Sequence, residues 1–391
     1  MTSTPFYHTA IIGAGASGLF CAGSFDAPKI VLEANSRPAQ KVRVSGGGKC
    51  NFTNRFVSAA DYESQQKHFC KNALAAFTPE HFVRILNEYH IPWHERENGQ
   101  LFATRATDIV QWLIRRAKAH RTTLALGVRV LDITPISGGF LLHTSQGPVH
   151  AQQVVLASGG LSFPALGGNS FGIKIARKFG LAIVPQRPVL CGLTFPKELR
   201  TLCTKLAGNS VPVMIRQGKK QVEGPLLFTH EGISGPAVLR LSLFWKPNHP
   251  VEIDFLPHQN AADILTAHKN SSKTVSGAFI PALPHYVAKT LLAPCDVPLA
   301  NATREQLYAA AQRINHFSFH ATGTAGYTKA EATAGGIDTK EINPTTFEVR
   351  RVPGLFITGE LLDVTGNLGG FNLHWAWASG FCAAQTLCQR F

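Results

Sequence analysis

Residues 9–33 read TAIIGAGASGLFCAGSFDAPKIVLE, and this stretch decides the fold. A short apolar run leads into a glycine-rich turn, which contains Gly13, Gly15 and Gly18. A segment compatible with a helix follows, and a second apolar run then ends at an acid, Glu33. Strand, glycine turn, helix, strand and acid is the order that a dinucleotide-binding unit requires. The stretch therefore predicts a Rossmann-like α/β domain that binds a nucleotide.

Each part of this stretch has a physical role in the predicted site. Gly13 permits a tight turn, Gly15 lets a pyrophosphate approach the backbone, and Gly18 lets the helix pack closely on the strand. The amino end of the helix offers unpaired N–H groups and a partial positive charge to the phosphates. Glu33 can accept hydrogen bonds from ribose hydroxyls, which favours an unphosphorylated ribose, as in FAD or NAD. The motif alone does not choose between these two cofactors.

Composition places the chain among globular proteins of two or three domains. It has 391 residues, of which 45% are hydrophobic and 16% charged. The eight cysteines are scattered without a C-x-x-C pair, so we expect free thiols in the cytoplasm and no metal site. No signal peptide or membrane span is expected. The formal net charge of +14 favours a polyanionic partner, although a basic protein without such a partner is an equally open interpretation.

Three further glycine-containing segments predict contacts to a cofactor. Residues 41–55 read KVRVSGGGKCNFTNR, and three consecutive glycines predict a loop that a ligand can approach closely. The predicted strand that ends at Leu156 runs into ASGG, residues 157–160. Near the end of the chain, an apolar strand stops at Gly359 and Glu360, and further glycines precede a helix. The amino end of that helix is suited to an electron-rich flavin ring.

Between these segments, the alternation of strands and helices changes character. Residues from about 189 contain short strands and many prolines, and a later stretch is rich in helices. We predict a nucleotide-binding domain at 1–188 and 330–391, a β-rich inserted domain at 189–256 and 316–329, and a helical subdomain at 257–315.

With these motifs in place, the sequence resembles the BaiN/RdsA-type FAD-dependent oxidoreductases, a family of bacterial flavoproteins. The matching motifs span most of the chain and are GAGASG, SGGGKCNFTN (45–54), ASGGLSFPALG (157–167), LFTHEGISGPAVL (227–239) and GELLDVTGNLGGFNLHWAW (359–377). The resemblance implies a two-dinucleotide-binding-domain flavoprotein that holds FAD noncovalently, with an inserted β-barrel-like domain and a small helical subdomain.

Combined with the motifs above, the resemblance assigns a set of residues to FAD binding. They are Gly13, Gly15, Ala16, Ser17, Gly18, Glu33, Ala34, Lys41, Ser45, Gly46, Gly47, Gly48, Lys49, Cys50, Asn51, Val130, Ala157, Ser158, Gly159, Gly160, Gly359, Glu360, Asp363, Gly369, Gly370, Phe371 and Asn372. The resemblance places Val130 near the adenine and the segment from Gly369 to Asn372 against the isoalloxazine.

The family resemblance also implies reduction of carbon–carbon double bonds. One branch reduces a uridine of large-subunit ribosomal RNA, and others act on small molecules such as steroid enones or amines. HFCKNAL (68–74) and LFTHEGISGP (227–236) look like the ribosomal RNA branch, and a charge of +14 suits that substrate. We therefore expect an FAD-dependent enzyme that converts a uridine of 23S rRNA, or of its assembly precursor, to dihydrouridine. NAD(P)H is the expected transient electron donor.

Two residues are candidate proton donors for this reaction. Cys50 follows Lys49 and is expected to be a thiol with a tuned pKa. His374 stands where family members often carry Gln, so it is either an acid or a packing residue. Two other functions stay open at this point: a flavin-dependent reductase or oxidase of a small molecule, and a noncatalytic RNA-binding flavoprotein in ribosome assembly.

Overall fold

A computed structural model describes residues 5–280 and 282–391. The chain divides into two compact units, Met1–Pro188 with Ala332–Phe391, and Val189–Glu331. The predicted domain ranges also include residues 1–4 and 281, which lie outside the described residues. The finer division into three parts stays a prediction.

Helices and strands alternate along the chain in the first unit, whereas the second unit contains both without a regular alternation. The α-helices are α1 Ala16–Ala22, α2 Gln40–Gly48, α3 Lys71–Ala76, α4 Pro79–Glu88, α5 Ala106–Ala119, α6 Phe171–Lys178, α7 Arg200–Leu206, α8 Pro236–Ser242, α9 Ala261–Ala267, α10 His285–Leu292, α11 Arg304–Asn315 and α12 Phe371–Gln389. The strands are β1 Phe6–Ile12, β2 Lys29–Glu33, β3 Asn51–Asn54, β4 Tyr62–Glu63, β5 Trp93–Glu95, β6 Gln100–Ala103, β7 Thr122–Leu126, β8 Val130–Ile136, β9 Gly139–Thr144, β10 Gly147–Leu156, β11 Ile183–Val189, β12 Leu193–Thr194, β13 Ser210–Gln217, β14 Lys220–Phe228, β15 Gly232–Ser234, β16 Val251–Asp254, β17 Phe317–Phe319, β18 Gly323–Thr324, β19 Ala332–Ile337, β20 Leu355–Ile357 and β21 Thr365–Gly366.

A parallel sheet organises the first unit. Strands β7, β2, β1, β10 and β20 pair in that order, and every pair is parallel. Successive residues point to opposite faces of a strand, and both Ala10 and Ile11 are 0% exposed, as are Val154 and Val155, so the sheet is buried on both faces. Continuous apolar runs are typical of parallel strands that helices cover on both sides. The α/β Rossmann-like fold class is therefore confirmed.

Helices α1 and α12 pack very closely against each other in this unit. A Cβ atom on Gly380 would lie 2.6 Å from the carbonyl oxygen of Ser17, so only glycine fits there. Beside this crossing, the Phe20 ring lies 5.6 Å from Trp377 and 6.1 Å from Trp112. Trp377 is fully buried and donates its indole N–H to the carbonyl oxygen of Phe52. Its role is core packing, and it fixes the end of the chain on the first unit.

The second unit is built on a seven-stranded sheet. Its order is β17-β16-β13-β14-β15-β12-β18, and all of its pairs are antiparallel. Alternating residues of β13, such as Val211, Val213 and Ile215, are buried in the core of this unit. Helices α7 to α11 lie in the same unit. Across the described ranges of both units, no helix combines the length and the apolar character that a bilayer crossing requires.

Candidate nucleotide site

Four of the predicted cofactor segments directly follow strands of the parallel sheet. Strand β1 leads into the turn at 13–18, β2 ends at Glu33, β10 runs into 157–160, and β20 precedes Gly359. Because the carboxyl ends of parallel strands meet at one edge, the sheet brings these segments together. This edge is the site where an open α/β sheet binds a ligand.

The first glycine turn is compressed against its neighbours. Gly13 has a φ of +107°, and a Cβ atom there would lie 2.5 Å from the carbonyl oxygen of Ala157. A Cβ atom on Gly18 would lie 2.0 Å from the carbonyl oxygen of Gly13. Both positions therefore require glycine, the first for its backbone conformation and the second for the close approach of α1. These two sequence-based roles are confirmed.

Gly15 differs from the other two glycines because no other part of the protein lies near it. A Cβ atom there would meet no heavy atom within 4 Å. Gly15 is also the residue that precedes α1, so this space lies in front of unpaired N–H groups. The hydroxyl oxygen of Ser158, on the neighbouring strand end, is buried and has no hydrogen-bond partner among the described residues. Open space and unpaired N–H groups fit a pyrophosphate, whereas the Ser158 hydroxyl faces Gly172 inside the protein.

Glu33 is held in position beside this turn. Its Oε2 accepts a hydrogen bond from the backbone N–H of Ala14 at 2.8 Å, and its Oε1 accepts two from Asn35 at 2.9 Å each. The side chain is partly exposed, so its remaining lone pairs can accept hydrogen bonds from ribose hydroxyls. Val128 donates its N–H to the Glu33 carbonyl oxygen at 2.9 Å, which brings the start of β8 at Val130 close to the end of β2. Ala34, the next residue after Glu33, is exposed.

The glycine loop at 45–48 is open, as the sequence predicted. Helix α2 reaches this loop, but Ser45, Gly46 and Gly47 have non-helical backbone angles. Cβ atoms on Gly47 and Gly48 would meet nothing within 4 Å. The loop therefore leaves its backbone accessible to a ligand, and the adjoining Lys49 is exposed.

Glu360 is the centre of a hydrogen-bond network at the edge of the sheet. Its Oε2 accepts from Lys41 Nζ at 2.9 Å and from the N–H of Gly160 at 3.2 Å. Its Oε1 accepts from Ser162 Oγ and from the N–H of Thr333, both at 2.8 Å. Burial by itself raises the pKa of Glu360, but Lys41 and the hydrogen bonds outweigh it, so the pKa lies below its ordinary value. Glu360 is therefore ionised, and its two oxygens already accept hydrogen bonds from four donors.

Ser162 and Thr333 are site residues that the sequence analysis missed. Besides its bond to Glu360, Ser162 accepts from Lys41 Nζ at 2.8 Å. Thr333 Oγ1 accepts from the N–H groups of Leu161 and Ser162 at 2.9 and 3.0 Å. Ser162 stands within the quoted ASGGLS motif, whereas Thr333 belongs to the glycine-containing strand ATAGGI, whose pattern could have drawn attention to it.

The closing glycines form a second turn, which is packed against β3. A Cβ atom on Gly370, φ +96°, would lie 2.4 Å from the carbonyl oxygen of Thr53. Asn54 Nδ2 donates to the carbonyl oxygen of Gly369 at 3.1 Å. Asn372 bonds the backbone N–H and carbonyl of Gly366 at 2.8 and 2.9 Å, so its amide closes the loop internally. The turn fixes the start of α12 beside β3.

Other predicted contacts near this turn lie inside the protein. The carbonyl oxygen of Phe371 accepts a hydrogen bond from the Tyr62 hydroxyl at 2.9 Å. Asp363 is 5% exposed and accepts the N–H of Gln65 at 2.9 Å; burial raises its pKa. Gly359 donates its N–H to Ser379 Oγ at 3.0 Å. A direct role of these three residues in cofactor binding stays a prediction.

The two candidate proton donors are buried, and their pKa values move in unexpected directions. Cys50 is 0% exposed and burial raises the pKa of its thiol to about 12, so the expectation of an activated thiol is wrong. His374 is also 0% exposed, and burial lowers its pKa to about 4, so its imidazole is neutral at pH 7. Its Nδ1 lies 2.7 Å from Thr53 Oγ1, and its Nε2 has no hydrogen-bond partner among the described residues. Removal of water from both groups accounts for these shifts.

A family model described as the HI0933-like protein Rossmann domain matches residues 7–386. The chain belongs to the HI0933-like family. This membership confirms the predicted resemblance, and the protein is an FAD-dependent oxidoreductase of the flavoprotein class.

Relatives of this HI0933-like protein match it over nearly their whole length. The ribosomal RNA dihydrouridine synthase of Escherichia coli (strain K12) is 38% identical over 391 residues, which cover 97% of this chain and 98% of that protein. The 3-dehydro-bile acid delta(4,6)-reductase of Clostridium scindens is 26% identical over 404 residues, with the same two coverages.

A solved structure shows the same fold at low sequence identity. It is that of 3-ketosteroid-delta4-(5alpha)-dehydrogenase from Rhodococcus jostii RHA1, in complex with 4-androstene-3,17-dione. The TM-score is 0.51 at 13% identity, over 99% of this chain and 98% of that one. At this identity the likeness bears on the fold alone.

Proposed function

We propose that this protein reduces a uridine of 23S rRNA, or of its assembly precursor, to dihydrouridine with NAD(P)H as the electron donor. The observation that carries this proposal is the 38% identity, over 97% of the chain, to a ribosomal RNA dihydrouridine synthase. The formal charge of +14 supports it, because a positive field attracts and steers a polyanionic substrate.

In this proposal, the edge of the parallel sheet holds FAD. Gly15 and the start of α1 bind the pyrophosphate, and Glu33 binds the adenosine ribose. The open loop at 45–48 and the turn at 369–372 would contact the flavin ring. When bound, FAD supplies the hydride that adds to C6 of the uracil. The network of Glu360 keeps Lys41 and the 157–160 segment in place.

The chain must also stabilise charge and deliver a proton. When hydride adds to C6, negative charge would develop on O4 of the uracil, and the backbone N–H groups of the open loop at Gly47 and Gly48 would be suited to bind it. C5 then needs a proton, for which Cys50 and His374 are the candidates. The target base has to leave its stack to reach a buried ring, which favours unfolded or partly assembled rRNA.

A pH profile of the RNA-dependent step distinguishes the two proton donors. If protonated His374 donates, its pKa of about 4 means that the rate rises about tenfold for each unit that the pH falls from 8 to 5. If Cys50 donates, its pKa of about 12 keeps the thiol protonated throughout this range, and the profile is flat. A Cys50→Ala variant that binds FAD and reduces uridine at the parent rate would remove the thiol from the mechanism.

Mass spectrometry of rRNA nucleosides tests the substrate. A deletion strain should lack one dihydrouridine in 23S rRNA, and the parent gene should restore it. Purified protein with NAD(P)H should then form dihydrouridine in deproteinised rRNA from the deletion strain. Unchanged dihydrouridine in the deletion strain would contradict the proposal.

A second candidate function is reduction of a small-molecule enone. The observation that favours it is the 26% identity, over 97% of the chain, to a bile acid reductase. This candidate predicts unchanged rRNA nucleosides and altered metabolites in the deletion strain. A noncatalytic role in ribosome assembly predicts unchanged nucleosides together with an assembly defect.

A further inference from the structure

Phe56 is the most exposed of the large apolar side chains of the described residues, at 69%. It follows Asn54, the last residue of β3, and so comes just after the open glycine loop and Cys50. Exposure of a single apolar residue is common on protein surfaces. The position of Phe56 is informative because of what holds it in place.

Asn54 connects Phe56 to the turn that begins α12. The Asn54 side chain is 3% exposed, and its Oδ1 accepts the N–H of Phe56 at 3.0 Å. Its Nδ2 donates to the carbonyl oxygens of Gly369 and Asn98, both at 3.1 Å. One buried amide thus joins the exposed aromatic, the second glycine turn and the hairpin turn, which is Glu97–Gly99 between β5 and β6. Phe56 therefore has a fixed position relative to the proposed ring-binding edge.

The hairpin turn also supports the aromatic ring itself. A Cβ atom on Gly99 would lie 2.7 Å from Cδ2 of Phe56, so the ring packs on the glycine backbone. Arg55 donates its N–H to the carbonyl oxygen of Gly99 at 2.7 Å. One edge of the Phe56 ring is packed on protein, while most of its surface faces solvent. A rigid aromatic of this kind loses little conformational entropy when a flat partner stacks on it.

Arg96 is an exposed cation that directly follows β5 of the three-stranded sheet β3-β6-β5, and its Nε donates to His94 Nε2 at 3.4 Å. Arg96 is exposed, and its guanidinium lies 4.5 Å from the centre of the Phe102 ring. That ring in turn borders the glycine loop, because a Cβ atom on Gly46 would lie 2.7 Å from Phe102 Cε1. Arg96 is thereby fixed beside the open loop, as Phe56 is beside the second turn.

The acids of this sheet leave Arg96 available to an anion. Glu95 is taken up by Arg55, whose guanidinium lies 2.7 Å from its carboxylate. Glu97 is exposed and adjoins Arg96 in sequence. No carboxylate of the described residues forms a salt bridge with Arg96. The sheet therefore presents an aromatic face and a guanidinium with unused donors.

We propose that this sheet is the docking edge for single-stranded RNA, with Phe56 stacked on a base and Arg96 bound to a phosphate. This inference rests on the proposed function and names residues that hold the substrate of that site. Stacking on an aromatic ring is how proteins hold unpaired bases, and every base offers a flat face for it. A base stacked on Phe56 would keep a neighbouring flipped uridine at the edge where the ring binds.

The test compares Phe56→Ala with Phe6→Ala in the FAD-loaded protein. Phe6 is a matched control: it is 62% exposed, but it begins β1 and so lies at the opposite edge of the parallel sheet. The probes are a fluorescein-labelled oligouridylate for binding and deproteinised rRNA from the deletion strain for turnover. Phe56→Ala should weaken oligouridylate binding and raise the KM for rRNA by about tenfold or more, the size of one lost base–aromatic stack. Phe6→Ala should match the parent in both.

Two further readouts separate stacking from folding. The rate at which NAD(P)H bleaches the flavin should be the same in the parent, Phe56→Ala and Phe6→Ala, because in this proposal Phe56 contacts the RNA and not the flavin. Phe56→Leu keeps apolar packing on Gly99 without an aromatic face and should behave like Phe56→Ala, whereas Phe56→Trp should bind oligouridylate at least as well as the parent. If Phe56→Leu or Phe56→Ala binds and turns over RNA like Phe6→Ala, the stacking role is wrong.

Arg96→Gln tests the phosphate contact. Its affinity for oligouridylate should fall, and the slope of log affinity against log salt should become shallower by about 0.7 to 1, which corresponds to one phosphate. An unchanged slope would overturn this part of the proposal. A parent protein that forms no dihydrouridine in any rRNA would instead contradict the proposed function. These two failures are therefore distinguishable.

Discussion

The two glycine turns of the first unit look alike in sequence and differ in structure. Each links a strand to a helix of the first unit. At the first turn, the glycine that precedes α1, Gly15, faces open space. At the second turn, the glycine that precedes α12, Gly370, faces the carbonyl oxygen of Thr53 at 2.4 Å from where a Cβ atom would be. The first glycine borders open space, and the second allows two segments of the protein to pack closely.

This difference shows that a strand–turn–helix pattern can require glycine for more than one physical reason. A substitution at an open glycine should affect the ligand and leave the fold intact. A substitution at a packed glycine should affect the fold whether or not the ligand is bound. The following predictions use that contrast, from the largest expected effect to the smallest.

Gly15→Val tests the open turn and should have the largest effect. A Cβ atom there meets no heavy atom within 4 Å, and the valine side chain fills the space before α1, so we expect FAD affinity to fall by about 1,000-fold. That corresponds to about 4 kcal/mol, the loss of two charge-assisted hydrogen bonds. Isothermal titration of stripped protein with FAD measures it. The Tm of the stripped variant should equal that of the stripped parent, and a variant that stays fully yellow would break the comparison.

Gly370→Ala tests the packed turn. Alanine is strained at a φ of +96°, and its Cβ would overlap the Thr53 carbonyl, so we expect a loss of about 3 kcal/mol in the free energy of unfolding. Urea unfolding with and without FAD measures this loss, and both forms should be destabilised. A Gly370→Ala protein as stable as the parent when stripped of FAD would show that the second turn is not packed in this way.

His374→Gln tests the environment of the packed turn through the pH dependence of the free energy of unfolding. The folded-state pKa of His374 is lowered to about 4, from an ordinary 6.5, so its contribution to stability is full above pH 6.5 and is lost as the pH falls towards 4. The parent should therefore lose about 2 to 3 kcal/mol of stability between pH 7 and 4 that the variant retains. Chemical unfolding at several pH values measures the difference, with His68→Gln as a control at an exposed position. Parallel pH curves for parent and His374→Gln would contradict a buried neutral imidazole.

Glu360→Gln has the smallest expected effect and probes the network beside the open turn. The amide cannot accept from all four donors, and it leaves Lys41 without its ion-pair partner. Because Lys41 and Glu360 are partly exposed, at 31% and 23%, we expect a loss of only about 1 to 2 kcal/mol. Thermal unfolding measures it, with the exposed Glu97→Gln as control. Equal Tm values for the two variants would show that the network does not stabilise the edge.

The local parts of the site could be predicted from the sequence. Gly13 and Gly18 act within one strand–turn–helix unit, and their roles follow from a motif whose flanking runs are all present. The open loop at 45–48 was equally predictable, because consecutive glycines do not sustain a helix. These features depend on neighbours in the chain, so a single sequence contains the information.

The parts of the site that join distant segments could not be predicted. Glu360 bonds Lys41, Ser162 and Thr333, which come from three separate parts of the chain. The pKa values of Cys50 and His374 depend on their burial in the fold. Neighbouring residues in the sequence, such as Lys49 beside Cys50, do not indicate this burial. The expectation of an activated Cys50 thiol is wrong because loss of water in the fold outweighs the charge of the neighbouring Lys49, while its role as a proton donor stays a prediction.

The most direct test of the account is the flavin content of the purified protein. After gel filtration, the protein is precipitated with acid, and the released chromophore is identified by chromatography and its absorbance. The account predicts noncovalent FAD at one molecule per chain in the parent, and its absence from Gly15→Val. A parent protein that is colourless and does not bind added FAD would contradict the central claim.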